Sequence, residues 1–209
     1  DKIDSIFDKS LDYITDNLCD ENGVPYIVSC IIDSIRSTNA LSCKGIGTDI
    51  IDVQDNEIKK LGTLFLSVKE TSTTELRNVH PQTKIFLLKT FLASLEVPLI
   101  AIEGNENFIS VCELYSQKRE CEEVNAALKT LVDESRFKNL SLLLLKFLTD
   151  LLANPVNEVT KLHITEQYSS YFFWTMRTSA ALSIPLFHIL LDNVEYFCKQ
   201  QIPYYIISE

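Results

Sequence analysis

The chain has 209 residues, 46% hydrophobic and 23% charged, the balance of one soluble globular domain large enough to bury most of its apolar surface. Its net charge of -10 and isoelectric point near 4.8 argue against nucleic acid or an anionic membrane as the main partner, because both require a basic surface. The longest apolar run, residues 140–152, is interrupted by Lys146 and Asp150 and falls short of the roughly 20 residues of a bilayer helix, so no transmembrane segment is expected.

In chain order the sequence reads as helices joined by short polar connections. Residues 3–18 are weakly amphipathic through Ile3, Ile6, Phe7, Leu11, Ile14 and Leu18, and Asn22-Gly23 ends that segment. Val24-Pro25 starts a second helix, with Pro25 in the first turn, where its missing donor costs nothing; Val24, Ile27, Val28, Ile31 and Ile35 are its buried stripe. Residues 37–54 hold Gly45 and Gly47 without helical period and read as loop. Residues 57–68 look helical, and residues 70–83 form a polar connection rich in Ser and Thr.

The next segment organises the rest. Ile85, Leu88, Phe91, Leu92 and Leu95 recur at helical steps until Pro98 forbids continuation and biases Val97 toward extended backbone. Residues 105–130 then read as one long helix. Residues 136–153, through Phe137, Leu140, Leu144, Phe147, Leu148 and Leu151, have the wide apolar face of a helix in the middle of a bundle, closed by Asn154-Pro155. Thr165 is placed to cap a helix running through Tyr171, and Ser183 with Pro185 to open the last, which buries Leu186, Ile189, Leu190, Val194 and Phe197. No period-two alternation of useful length occurs. The expectation is an all-α bundle of about eight or nine helices filling a single domain over residues 1–209.

The six cysteines show no CxxC pair and no zinc-like spacing with histidine, as expected of reduced thiols in a cytoplasmic protein, and no metal or cofactor is expected. His80, His163 and His188 are far apart, no glycine-rich phosphate loop follows a strand, and no serine sits in a nucleophile elbow. His188 reads as solvated on the polar side of the last helix, and Cys43 as an ordinary loop thiol.

Several stretches together resemble the Rho-family GTPase-activating (RhoGAP) domains. FLLKTFLASLEVPLI at 86–100 is similar to the family's LK-x-FLR-x-LP-x-PLI, and VPYIVSCIIDSI at 24–35 to VP-x-IV-x-x-CI-x-x-I. ALSCKGI at 40–46 resembles GL-x-x-EGIFR, ITEQYSSYFFW stands where the family has MT-x-x-NLA-x-VFG, and PLFHILLDNVEYF resembles its final helix. The order and spacing of these pieces over residues 24–197 carry the resemblance. Val79-His80 resembles a family VH but lies a residue or two too far from Lys89.

The resemblance implies a helical GTPase-activator fold whose chemistry is an arginine inserted beside the transferring phosphate, a device worth about 10³ to 10⁵ in rate. The matching positions depart from it. GIFR reads Gly45-Ile46-Gly47-Thr48, so the finger position is Thr48. The arginine of FLR is Ala93, the asparagine of NKM is Leu162, and the glycine of Gly-Pro-Asn is Trp174; Lys89 retains the family's lysine. The expected function is thus a catalytically inactive interaction module, part of a larger multidomain cytoplasmic protein, whose protein partner is a Rho-family or other small GTPase. The alternatives are an active GTPase activator with a displaced arginine, Arg36 or Arg77 being nearest the right segments, and a scaffold or homodimerisation domain that binds no GTPase. Lys89, Trp174 and Tyr171 are the expected binding residues. Asp49, Asp52 and Asp55 read as a solvated loop or a helix start.

Overall fold

A computed structural model describes residues 4–47, 53–67, 71–100, 106–118, 121–173 and 180–198. The architecture is all-α, with eleven α-helices and three 3₁₀ turns among the described residues and no strand; a lone antiparallel bridge joins Cys19 and Pro25. The helix count exceeds the expected eight or nine for local reasons.

The amino-terminal segment is two pieces, a 3₁₀ turn Ile6–Asp8 and α1, Leu11–Asn17. The hydroxyls of Ser5 and Ser10 accept the Phe7 and Tyr13 amides and start each piece anew. Helix α2, Tyr26–Ser37, starts one residue later than expected, with Pro25 as its N-cap rather than in its first turn, and buries Ile27, Val28, Ile31 and Ile35. After the loop come α3, Asp55–Thr63, and α4, Thr71–Leu76, a short helix inside the expected polar connection. Helix α5, Pro81–Ser94, starts where Pro81 occupies the first turn and His80 Nδ1 accepts the Gln82 amide.

The expected single helix over 105–130 is two, α6 (Glu106–Ser116) and α7 (Cys121–Asp133), which pack on each other. Lys118, at φ 51°, turns the chain left-handed between them. Helix α8, Lys138–Ala153, is central: Leu140, Leu144, Leu145, Phe147, Leu148 and Leu151 are fully buried, and it touches α7, α9, α10 and α11. Helix α9 spans Lys161–Phe173, so Thr165 lies inside it, bonding back to Lys161 O at 2.8 Å rather than capping. Helix α10, Ala180–Asp192, begins ahead of Ser183 and contains Pro185, and α11, Val194–Cys198, ends the described chain.

Pro98 acts as expected. The chain leaves α5 through Glu96 at φ 57°, and the amides of Leu99 and Ile100 then donate to the carbonyls of Tyr171 and Phe172, 2.8 and 3.1 Å away. The exit from α5 is thereby tied by backbone hydrogen bonds to the carboxyl-terminal end of the described part of α9.

Candidate functional site

The loop before the finger position is held by amide side chains from two parts of the chain, Gln82 on α5 and Asn154 and Asn157 between α8 and α9. Its 3₁₀ turn, Ala40–Ser42, leads to Ile46, fully buried, between Gly45 at φ 66° and Gly47 at φ 81°. Buried backbone of this kind must be hydrogen-bonded. Gln82, on the first turn of α5, meets both ends: its Oε1 accepts the Gly47 amide at 3.1 Å and its Nε2 donates to Gly45 O at 2.9 Å. The backbone carbonyl of Asn157 accepts the Gly45 amide at 2.8 Å.

Asn157 is itself fully buried. Its Nδ2 donates to Leu41 O and Leu151 O, and its Oδ1 accepts the Val159 amide, at 2.9, 2.8 and 2.8 Å. Asn154 Nδ2 adds a bond to Ser42 Oγ at 3.0 Å. The loop is thus sewn to the joint between α8 and α9, as well as to α5.

Lys89 completes the anchor. Its Nζ donates to Gly47 O at 2.9 Å and to Gln167 Oε1 on α9 at 2.7 Å, and it lies 5.1 Å from the centroid of the Tyr168 ring. The Tyr168 hydroxyl also donates to Gly47 O, at 3.3 Å. Burial lowers the Lys89 pKa to about 8, and raises that of Tyr168. The carbonyl one residue before Thr48 is therefore held by two donors.

Of the sequence-predicted residues, Lys89, Ala93, Leu162 and Tyr171 lie in described parts, whereas Thr48 and Trp174 lie outside the described residues, as do Asp49 and Asp52. Ala93 is exposed one turn beyond Lys89. Leu162, in the first turn of α9, is 64% exposed. Tyr171 is half-buried with its ring 6.4 Å from that of Tyr168, while Tyr168, Phe172 and Phe173 are fully buried. Asp55 begins α3, where a carboxylate suits the amino end of the helix dipole.

The Arg36 guanidinium lies 2.8 Å from Asp150 on α8, and Arg77 is exposed just past α4. His188 is not simply solvated: it is half-buried with Nε2 2.8 Å from Thr165 Oγ1. Because that hydroxyl already donates to Lys161 O, the imidazole nitrogen is the donor of this pair. Cys19, Cys30, Cys43, Cys112 and Cys198 are free thiols; Cys30 is buried and Cys43, in the loop, half-buried. No group of acidic, histidine or cysteine side chains suited to a metal occurs among the described residues, and no described helix is long and apolar enough to cross a membrane.

Gln82, Asn157 and Gln167 were not legible as site residues. Single amide side chains leave no periodic trace, and only Gly45, Gly47 and Asn154-Pro155 marked where a loop would need them.

An all-helical domain with a glycine-framed loop clamped against its fifth and ninth helices defines the structural class. The model of the RhoGAP domain family matches residues 25–166, and the chain belongs to that family. Among solved structures it is similar to human Rho GTPase activating protein 15, with a TM-score of 0.68 and 20% identity over 93% of this chain and 91% of that one, a likeness of fold. No curated protein matches the chain.

Proposed function

We propose that this RhoGAP domain has lost GTPase-activating catalysis and serves as a protein-interaction module, its partner a Rho-family or other small GTPase that it binds without accelerating hydrolysis. The observation that carries this reading is the pairing of an anchored loop with an uncharged finger position. Gly47 O is fixed by Lys89 and Tyr168, and the next residue in the chain is Thr48. A threonine offers no cation to a developing phosphate charge, the contribution expected of a finger. Ala93 and Leu162, both exposed, add no polar group where the family resemblance implies arginine and asparagine. The displaced-arginine alternative has little support from Arg36, which is paired with Asp150.

Single-turnover GTP hydrolysis by a panel of Rho-family GTPases tests the reading. No acceleration is expected at domain concentrations where binding is detected in pull-downs. Acceleration of about 100-fold or more would overturn it, and loss of that acceleration in Arg36→Ala or Arg77→Ala would locate the finger.

A further inference from the structure

Helix α6 turns an apolar face outward. Val111 is its one buried residue, and its main packing partner among the described elements is α7. At about 100° per residue, Tyr115, Phe108, Cys112 and Ile109 fall in that order across an arc of roughly 120° of the helix. Ile109 is 55% exposed and Tyr115 38%, with Phe108 and Cys112 half-buried between them. A helix on the outside of a domain ordinarily gives such an arc to polar side chains.

Two carboxylates border the arc. Glu106 and Glu113, both exposed, stand three residues before Ile109 and four after it, one turn to either side and just beyond the apolar stripe. The α6 sequence, ENFISVCELYS, contains no lysine or arginine. The single lysine of α7, Lys129, lies 3.0 Å from Asp133 of the same helix. The outer face of α6 is therefore an apolar stripe with an acidic edge, on a chain of net charge -10.

We propose that this face is a docking site for a basic amphipathic helix of a partner protein, whose apolar side chains cover Ile109 and Tyr115 while its lysines or arginines meet Glu106 and Glu113. The charges select that occupant. An anionic membrane or a nucleic acid is repelled by the acidic edge. A second copy of the chain brings an α6 with the same carboxylates and no cation to set against them. A basic helix with apolar anchors at three- and four-residue spacing complements both the stripe and its edge. The proposal does not rest on GTPase binding, and the bonds that hold the anchored loop come from α5, α9 and the joint before α9, so substitutions on α6 leave them in place.

The probe is a fluorescein-labelled synthetic helix with leucines on one face and lysines on the other, titrated with the whole 209-residue chain by fluorescence anisotropy beside a control peptide in which every lysine is glutamate. The lysine peptide should bind at least about tenfold more tightly than the glutamate peptide. Ile109→Ser with Tyr115→Ser should weaken its binding at least about fivefold, and Glu106→Lys with Glu113→Lys should reverse the preference between the two peptides. Melting temperatures should stay within about 2 °C of wild type, since all four residues are exposed. Lysine-peptide binding that is unchanged in either double variant reports attraction to the net charge alone and overturns the site. Absence of binding by the wild-type chain overturns it as well, and so does a wild-type dimer that Ile109→Ser with Tyr115→Ser dissociates, because the occupant is then a second copy.

Discussion

Replacing Gly47 by alanine probes the anchor at its tightest point. Two costs can be worked from the geometry. At φ 81° an L-residue pays about 1 kcal/mol that glycine does not. A Cβ built there would lie 2.7 Å from the Tyr168 hydroxyl, well inside van der Waals contact. Tyr168 is fully buried, so its ring cannot swing into solvent; it must shift within a packed core and give up its bond to Gly47 O, at about 2 to 3 kcal/mol together. Gly47→Ala should thus lose about 3 to 4 kcal/mol in urea unfolding, or roughly 10 °C in Tm for a domain this size. In a Tyr168→Phe background the clashing oxygen is gone, and the same substitution should cost only the backbone term of about 1 kcal/mol. A loss near 1 kcal/mol in both backgrounds would refute the packing of this loop on Tyr168.

Other consequences are as direct. Asn157→Ala should destabilise by about 2 to 4 kcal/mol in the same unfolding assay, because it strips donors from Leu41 O and Leu151 O and the acceptor from the Val159 amide. Lys84 is 1% exposed with its Nζ on Ser34 Oγ at 2.7 Å, and burial lowers its pKa, so Lys84→Met should leave stability at pH 7 unchanged or raise it by about 1 to 2 kcal/mol. For Lys89 the folded pKa of about 8 lies below the ordinary 10.5, so the unfolded chain binds more protons between those values and this lysine makes stability rise as pH climbs from 8 to 10.5. After allowance for screening of a half-exposed group the gain is roughly 1 to 2 kcal/mol. Cys19, raised from 9.0 to about 11 by burial, acts in the opposite sense above pH 9, so the gain is read from the difference between wild-type and Lys89→Met profiles.

What could be read in advance follows physical periodicity. The stripes of α2, α5 and α8 repeat every three to four residues, and every residue named for them in advance is buried. The breaks were harder. Nothing at 117–120 is glycine or proline, and the turn there rests on Lys118 adopting a left-handed conformation. Pro185 marked a start by its missing donor, yet burial of Leu186, Phe187 and Leu190 carries the helix through it. At the site, Lys89 was visible by family likeness, while its partner Gln167 and the clamp Gln82 depend on contacts spanning 78 and 35 residues of sequence, which no local pattern encodes.

Those contacts also separate fold from chemistry. Gly45 and Gly47 need partners because their backbone passes beside the buried Ile46, and Gln82, Asn157, Lys89 and Tyr168 supply them whatever side chain follows. The loop's shape therefore does not depend on an arginine at position 48, and Thr48→Arg should leave the melting temperature within about 2 °C of wild type. It should also leave GTP hydrolysis by bound GTPases unaccelerated. A finger works with polar groups that steady the nucleotide and the GTPase's own glutamine, and groups that act as a unit fail together when one is missing. Ala93 and Leu162 remain apolar in that variant, so its new guanidinium arrives without companions. Adding Ala93→Arg and Leu162→Asn to Thr48→Arg is the informative step. If Thr48→Arg by itself accelerated hydrolysis by about 10³-fold, charge at one position would suffice and the cooperative reading of the proposed loss would be wrong.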